Sequence, residues 1–234
     1  GIERFAILYP DENYGNTFMK LFRDKVLDYG AEITGIESYQ PDQTDFAGPI
    51  SKLAKIDLKD WRSNWRHRRH KKNTVVVDFD AVFIPDTSEK AGLIAPQLAF
   101  YDIDDVLLLG TNLWHSDQLI NEAGKYVQYA MMADGFYTST TNKKINNFIM
   151  AFKHHYGETP GIIEAFAYDT AMIAFHTANN SGVYSRRDLK EELRNLRGFD
   201  GVTGATSFRR NGDAEKKLYI LQVEGNKFVE FESN

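Results

Sequence analysis

The chain has 234 residues, of which 42% are hydrophobic, 13% are aromatic and 26% are charged. This composition is typical of a folded globular protein, and it excludes collagen-like, coiled-coil and disordered chains. The 28 basic and 33 acidic residues give a net charge of −5, and cysteine is absent, which argues against general affinity for nucleic acid and excludes disulfides and a cysteine nucleophile.

The first half of the chain predicts strands that alternate with helices. Residues 5–10 form a short apolar run that ends at a proline, which is typical of a buried parallel strand. Phe18, Phe22 and Val26 recur at helical spacing in the next segment, and Gly30 ends that helix. The alternation continues with strands at 31–39, within 80–88 with its end at Pro85, and at 106–112, and with helices within 42–56 and at 91–101. Because parallel crossovers need helices, we expect an α/β fold with a doubly wound parallel sheet.

The second half is predicted to be mostly helical and to end in hairpins. A strand at 126–138 leads out of the sheet. The last of the helices begins with Ser185 as N-cap and Asp188 three residues later, which is similar to a capping box. The turn signals Asn211-Gly212 and Gly225-Asn226 separate alternating apolar and polar residues and predict β-hairpins. The predicted helices span 143–156, 162–179 and 185–196.

One segment breaks this pattern. Residues 61–72, WRSNWRHRRHKK, carry six Arg and Lys side chains and no acid. One interpretation is a solvated surface insertion between a helix and a strand. The other is a docking patch for an anionic partner, in which two tryptophans one helical turn apart add interfacial anchoring. The candidate partner-binding residues are Trp61, Arg62, Trp65, Arg66, Arg68 and Arg69.

The sequence lacks the usual motifs of catalytic and nucleotide-binding sites. There is no GxxxxGK, GxGxxG or GxSxG pattern, which argues against phosphate-loop, dinucleotide-binding and serine-hydrolase sites. His67 and His70 could share a helix face, but they lie in a cationic run that repels a metal ion, and the other four histidines lack the spacing of ligands. Asp11, Glu12 and Asp86 at the strand ends could form an acid pair but are better explained as loop caps and solvent-facing charges. The sequence therefore predicts a protein that is not an enzyme and that carries no metal and no cofactor.

Polar and aromatic side chains instead gather where the predicted parallel strands end, which is where ligands bind in such sheets. They offer hydrogen-bonding and stacking groups without a nucleophile and a base. That chemistry suits holding a ligand rather than converting it. The candidate ligand-binding residues are Tyr14, Asp86, Thr87, Ser88, Thr111, Asn112 and Trp114.

Several segments together carry a family resemblance. FAILYPDENYGNTFMKLFRDKVLDYGAEITGIESY is followed by TDFAGPISKL, DFDAVFIPDTSEKAG and LLLGTN, and then by AFAYDTAMIAFHTAN and GFDGVTGATSFRRNGDAEKKLYILQV. In this order they resemble type I periplasmic binding proteins of the leucine/isoleucine/valine-binding family, over nearly the whole chain. The stretch DAVFIPDTSEKAGLIAPQLAFYDIDDVLLLGTN also resembles the lipoprotein activators of penicillin-binding proteins.

The resemblance implies two doubly wound lobes joined by three crossing strands, with a ligand between them. Residues 2–133 would form the second lobe, 135–215 the mostly helical later part of an incomplete first lobe, and 217–231 the return to the second lobe. The chain would then begin after the first crossing. The helix at 162–179 would expose its apolar face, so we expect another segment or a second chain to cover it.

The family's ligand contacts carry over only in part. Tyr14 matches a ligand-contacting tyrosine of the amino-acid binders. The position of an aromatic contact falls on Thr87 or Ser88, and the position of the acid that pairs with the ligand's ammonium falls near the neutral Asn112. Because a buried ammonium without an anionic partner is costly, we do not expect a free branched-chain amino acid as the ligand.

The resemblance thus implies an extracytoplasmic solute-binding protein of an ABC transporter. It would bind a small polar ligand, such as an amino acid derivative, and pass it to a membrane permease. Its location would be the bacterial periplasm or an outer-membrane-anchored cell envelope. The alternative is a protein-interaction module that activates a penicillin-binding protein, or peptidoglycan synthase, with residues 61–72 as the contact.

Overall fold

The computed structural model describes residues 1–59, 61 and 77–231, which form two compact units. One unit contains Gly1–Met132 and Leu221–Asn234, and the other contains Ala133–Ile220. In chain order the elements are β1 (Arg4–Pro10), α1 (Asn13–Asp28), β2 (Glu32–Tyr39), α2 (Ala47–Leu53), β3 (Ala81–Phe83), α3 (Ser88–Phe100), β4 (Leu107–Gly110), α4 (Asp117–Ala123), β5 (Met131–Asp134), α5 (Lys143–Tyr156), α6 (Ile162–Ala178), α7 (Arg186–Asn195), β6 (Phe199–Gly201), β7 (Gly204–Phe208), β8 (Ala214–Lys216), β9 (Tyr219–Glu224) and β10 (Lys227–Glu230).

A seven-stranded, mostly parallel sheet has the strand order β10-β9-β5-β4-β3-β1-β2. β1 pairs in parallel with β2 and β3, β3 with β4, and β4 with β5, whereas β10 is antiparallel to β9. Ala6, Ile7 and Leu8 of β1 are completely buried, as expected for a strand covered by helices on both faces. The α/β class and the parallel sheet predicted from the sequence are confirmed.

Helix α1 covers part of one face of this sheet. Ile7, Met19 and Phe83 form a buried cluster from β1, α1 and β3. The ring of Phe22 stacks on that of Phe83 with centroids 4.1 Å apart. The helical spacing of the apolar residues in α1 therefore places the helix on the strands whose ends carry the candidate site.

The structure corrects two sequence-based element boundaries and adds one helix. Strand β3 ends at Phe83, two residues before the predicted end at Pro85, and Thr87 then caps the next helix by accepting a hydrogen bond from the Lys90 amide. Strand β5 spans only Met131–Asp134 of the predicted 126–138 segment. Helix α4, which begins after the N-cap Ser116, was not predicted.

The second unit combines α5, α6 and α7 with a three-stranded antiparallel sheet of order β6-β7-β8. The carboxylate of Asp169 in α6 is 2% exposed and accepts hydrogen bonds of 2.8 Å from the Val202 and Thr203 amides. A Cβ at Gly201 would lie 2.3 Å from this carboxylate, so the turn between β6 and β7 can approach α6 only with a glycine there.

Two local predictions for this half agree with the structure. Ser185 and Asp188 form a reciprocal capping box at the start of α7. The Asn211-Gly212 and Gly225-Asn226 turns connect β7 with β8 and β9 with β10. Gly212 and Gly225 have φ values of 96° and 59°, which favour glycine.

Helix α6 exposes a row of large apolar side chains. Ile163 is 74% and Phe175 is 65% exposed, and Phe166, Tyr168 and Met172 are exposed to 40–41%. This exposure was expected for residues 162–179, whereas the segment or chain that covers the face stays a prediction. In the described ranges, no helix is both long and apolar enough to span a membrane.

Candidate functional site

The candidate site lies where parallel strands of the first unit end. β1, β3 and β4 are neighbours in the order β4-β3-β1. Their carboxyl ends therefore share one edge of the sheet, and the segments that follow them carry all seven predicted residues. Asn112 and Trp114 both lie in a short 3₁₀ helix after β4, Asn112–Trp114.

Tyr14 and Thr111, which are 97 residues apart in sequence, form a direct contact. The Tyr14 phenol donates a hydrogen bond of 2.9 Å to Thr111 Oγ1. Tyr14 lies in the first turn of α1, just after β1, and Thr111 follows β4, so the bond reaches past the intervening β3. A Cβ at Gly15 would lie 2.1 Å from the Pro10 carbonyl oxygen, so this glycine permits the tight turn that positions Tyr14.

The Tyr14 phenol stays protonated at neutral pH. Burial raises its pKa, the hydrogen bond with Thr111 lowers it, and the charge of Asp86 raises it further. The net effect is a pKa above the ordinary value of tyrosine. Tyr14 therefore acts as a hydrogen-bond donor at this edge of the sheet.

Asp86 is a nearly buried carboxylate with both oxygens engaged. Its Oδ2 accepts a hydrogen bond of 2.7 Å from the Tyr39 phenol, and its Oδ1 accepts one of 2.6 Å from the Thr87 amide. Burial, the Asp86 charge and this hydrogen bond raise the pKa of Tyr39 strongly. Tyr39, the last residue of β2, was missed by the sequence analysis, which assigned it only to a strand.

The other predicted residues differ in accessibility. Thr87 and Asn112 are exposed, whereas Ser88 is buried as the first residue of α3. Trp114 is completely buried, and a Cβ at Gly110 would lie 2.1 Å from its ring. In the described structure Trp114 thus packs under the end of β4, and its contact with a ligand stays a prediction.

The accessible groups at this edge are the hydroxyl of Thr87, the amide of Asn112 and the half-buried phenol of Tyr14. They can donate and accept hydrogen bonds, but within residues 1–59, 61 and 77–231 the hydroxyls are not paired with a histidine or lysine base. The same ranges contain no group of three or more His, Asp or Glu side chains placed to hold a metal ion. The arrangement is chemically that of a binding surface.

The predicted partner-binding segment can be assessed only at Trp61. This residue is 4% exposed, and its ring centroid lies 5.3 Å from that of Tyr101. Trp61 is therefore buried rather than presented to a partner, contrary to the expectation. Arg62, Trp65, Arg66, Arg68 and Arg69 lie outside the described residues, so the alternative interaction-module hypothesis, which depends on them, stays untested.

A comparison with protein families finds that the model described as "periplasmic binding protein" matches residues 1–227. A comparison with curated proteins finds no match.

The chain is also similar to solved structures. A putative branched-chain amino acid ABC transporter protein from Rhodospirillum rubrum is 20% identical, with a TM-score of 0.83, over 99% of this chain and 61% of that one. LivJ from Streptococcus pneumoniae, in complex with isoleucine, is 23% identical, with a TM-score of 0.66, over 98% of this chain and 60% of that one. A solute-binding protein from R. palustris, in complex with benzoate, is 14% identical, with a TM-score of 0.67, over 98% of this chain and 58% of that one. The chain thus spans about 60% of the length of these structures, and the likeness concerns the fold.

Proposed function

Because the chain belongs to the periplasmic binding protein family, we propose that it is the non-catalytic, solute-binding part of an extracytoplasmic receptor. The receptor binds a small polar ligand and delivers it to a membrane permease. Its location is the bacterial periplasm or, if the protein is lipid-anchored, the periplasmic side of the outer membrane. The family membership supports the extracytoplasmic location and the binding role.

The observation that carries this proposal is the hydrogen bond between Tyr14 and Thr111. It holds together side chains from the ends of β1 and β4, beside the exposed hydroxyl of Thr87 and amide of Asn112. A preorganised set of neutral donors and acceptors binds a polar solute with little ordering cost. None of these side chains has to change its charge for binding to occur.

The charges of the site favour a ligand without a free ammonium group. Asn112 is neutral, and both oxygens of Asp86 already accept hydrogen bonds from Tyr39 and the Thr87 amide. Asp86 keeps further lone pairs, but it is only 7% exposed and its charge is already stabilised by two donors. It therefore offers an ammonium group a weaker partner than a free, accessible carboxylate would, and a buried ammonium without a strong anionic partner is costly. We therefore propose an acylated amino acid or a small carboxylic acid, in keeping with the benzoate bound by the R. palustris protein.

Isothermal titration calorimetry of the full-length protein tests this function. The ligands are free branched-chain amino acids, their N-acetyl derivatives, benzoate and neutral sugars. The proposal expects saturable heat with an acylated amino acid or a carboxylate and weaker or no heat with the free amino acids. Absence of heat with every solute would contradict the binding role, and preferential binding of a free amino acid would contradict the ligand class.

A further inference from the structure

A groove in the second unit is separate from the strand-end site. It has a volume of about 470 Å³ and lies between α7 and the hairpin of β7 and β8. The hairpin contributes Phe208, Asn211 and Gly212, and α7 contributes the other wall. The helix residues that line the groove are Arg186, Leu189, Lys190, Leu193 and Arg194.

The helical wall combines an apolar row with a basic one. Leu189 and Leu193 are half-buried and one turn apart, and Phe208 faces the same groove. Arg186 and Lys190 are exposed and also one turn apart, so their charges follow the apolar row along the groove. The groove therefore offers an apolar floor beside a line of positive charge.

The acidic side chains of α7 are not among the residues that line this groove, and each of them is engaged by another group. Asp188 accepts hydrogen bonds from the Tyr184 and Ser185 amides at the start of the helix. Glu192 accepts one of 3.0 Å from the Asn180 side chain. Glu191 pairs with Arg194 at 3.2 Å, so part of the positive charge at that end of the groove is already neutralised.

The positive charges of Arg186 and Lys190, unlike that of Arg194, are not neutralised by a described neighbour. Neither residue forms an ion pair or a side-chain hydrogen bond with the residues that the structure describes. The second unit, residues 133–220, carries 12 basic and 10 acidic residues, so no excess of negative charge in this unit offsets the basic line. A local patch of this kind attracts an acidic partner and orients it.

We propose that the groove binds an acidic, amphipathic peptide segment of a partner protein. Two carboxylates of that segment, one helical turn apart, meet Arg186 and Lys190. Apolar side chains beside them contact Leu189, Leu193 and Phe208. This pairing of charge with an apolar floor is the usual mode in which an amphipathic helix enters a groove.

The shape and chemistry of the groove favour a peptide over other anions. A membrane surface is flat and reaches exposed rims more readily than the floor between a helix and a hairpin. A small inorganic anion would use the cations but not the leucines and Phe208. The interaction is distinct from the proposed solute binding, because all the lining residues belong to the second unit.

Fluorescence anisotropy with the full-length protein provides the main test. The probe is a fluorescein-labelled, helix-forming peptide with Glu-Leu pairs at i, i+4 spacing, and the control peptide has Gln in place of each Glu. The R186E/K190E variant should weaken binding of the Glu peptide about tenfold or more, because two attractive contacts become repulsive. R187E reverses one charge on the same helix outside the groove and should stay within about twofold of the wild type.

A carbodiimide cross-link supplies an independent readout. The reagent joins a carboxylate to a lysine amine, so the Glu peptide should couple to Lys190, as mapped by mass spectrometry. Lys190→Arg should keep the anisotropy signal and lose this cross-link. Unchanged binding in R186E/K190E, an equal loss in R187E, equal binding of the Gln peptide, or binding to phosphatidylglycerol vesicles without binding to the peptide would each overturn the proposal.

Discussion

The Tyr39 phenol donates a hydrogen bond of 2.7 Å to Asp86 Oδ2, which joins the end of β2 to the segment after β3. β1 lies between these two strands in the sheet, so the bond fixes Asp86 from the side opposite to Thr111. It also stabilises the Asp86 charge from within the protein, so the carboxylate gains less from a ligand's ammonium group. The same contact therefore bears on both the stability of the strand-end site and the proposed class of ligand.

Tyr39→Phe should destabilise the protein by about 1–3 kcal/mol, because a nearly buried carboxylate loses a hydrogen-bond donor. The measurement is urea-induced unfolding followed by circular dichroism. Tyr29→Phe is the matched control, since Tyr29 is 85% exposed, and should leave the midpoint unchanged. Equal midpoints for Tyr39→Phe and the wild type would show that the donor does not stabilise Asp86.

Asp169→Asn should destabilise the second unit by about 2–3 kcal/mol. The Val202 and Thr203 amides donate to separate oxygens of the carboxylate, so the side-chain amide of Asn would turn its NH₂ group toward one of them and leave the other with a neutral acceptor. Hydrogen exchange of these two amides measures the effect locally, and both should exchange faster. Asp105→Asn, at an exposed position, is the control, and faster exchange in that variant as well would rule out a specific role for Asp169.

Asp80 should titrate far below an ordinary aspartate. The Arg4 guanidinium, which lies 2.6 Å from Asp80 Oδ1, lowers the pKa of this carboxyl to about 2. The folded state is therefore favoured by this pair above the pKa of the unfolded chain, about 4, and that contribution is lost as the pH falls toward 2. Because the pair is partly exposed, its contribution to stability is small.

Arg4→Met should raise the pKa of Asp80 toward the ordinary value. Carbon-13 NMR of the side-chain carboxyls during an acid titration measures this directly. Asp188 serves as an internal control, because its pKa is lowered by the Tyr184 amide and Ser185 rather than by Arg4. An Asp80 midpoint that does not move in the variant contradicts the assigned cause.

The exposed face of α6 should be covered in the full-length protein. Hydroxyl-radical footprinting of the isolated 234-residue chain should label Met172 and Phe175 strongly, since these side chains are 40% and 65% exposed. In the full-length protein both should be protected, whereas Tyr29 in the first unit should be labelled about equally. Equal labelling of Phe175 in both proteins would contradict the cover.

The parallel sheet could be predicted from the sequence because its cause is local. Short apolar runs such as Ala6–Leu8 are buried on both faces of a parallel sheet, and helices with one apolar face must alternate with them. The capping box could also be predicted from the sequence. Ser185 and Asp188 lie within one helical turn, so their pairing depends on few other residues. By contrast, α4 is only seven residues long and leaves a weak periodic signal.

The contacts of the site depend on strand order, which no local pattern contains. Tyr39 reaches Asp86 only because β1 lies between β2 and β3. The side chains of Trp61 and Trp114 were expected at binding surfaces because of their residue type, yet both are buried. Their burial follows from packing against Tyr101 and over Gly110, contacts between segments that the sequence could not place together.

The most direct test of the solute-binding account compares Tyr14→Phe and Thr111→Val with the wild type. The measurement is the calorimetric affinity of the full-length protein for N-acetyl amino acids and benzoate, with Tyr29→Phe as the control. The account predicts saturable binding by the wild type and the control, and an affinity about tenfold lower in each site variant, as expected for the loss of one buried hydrogen bond. Binding of equal strength in all four proteins, or no binding by the wild type, would contradict it.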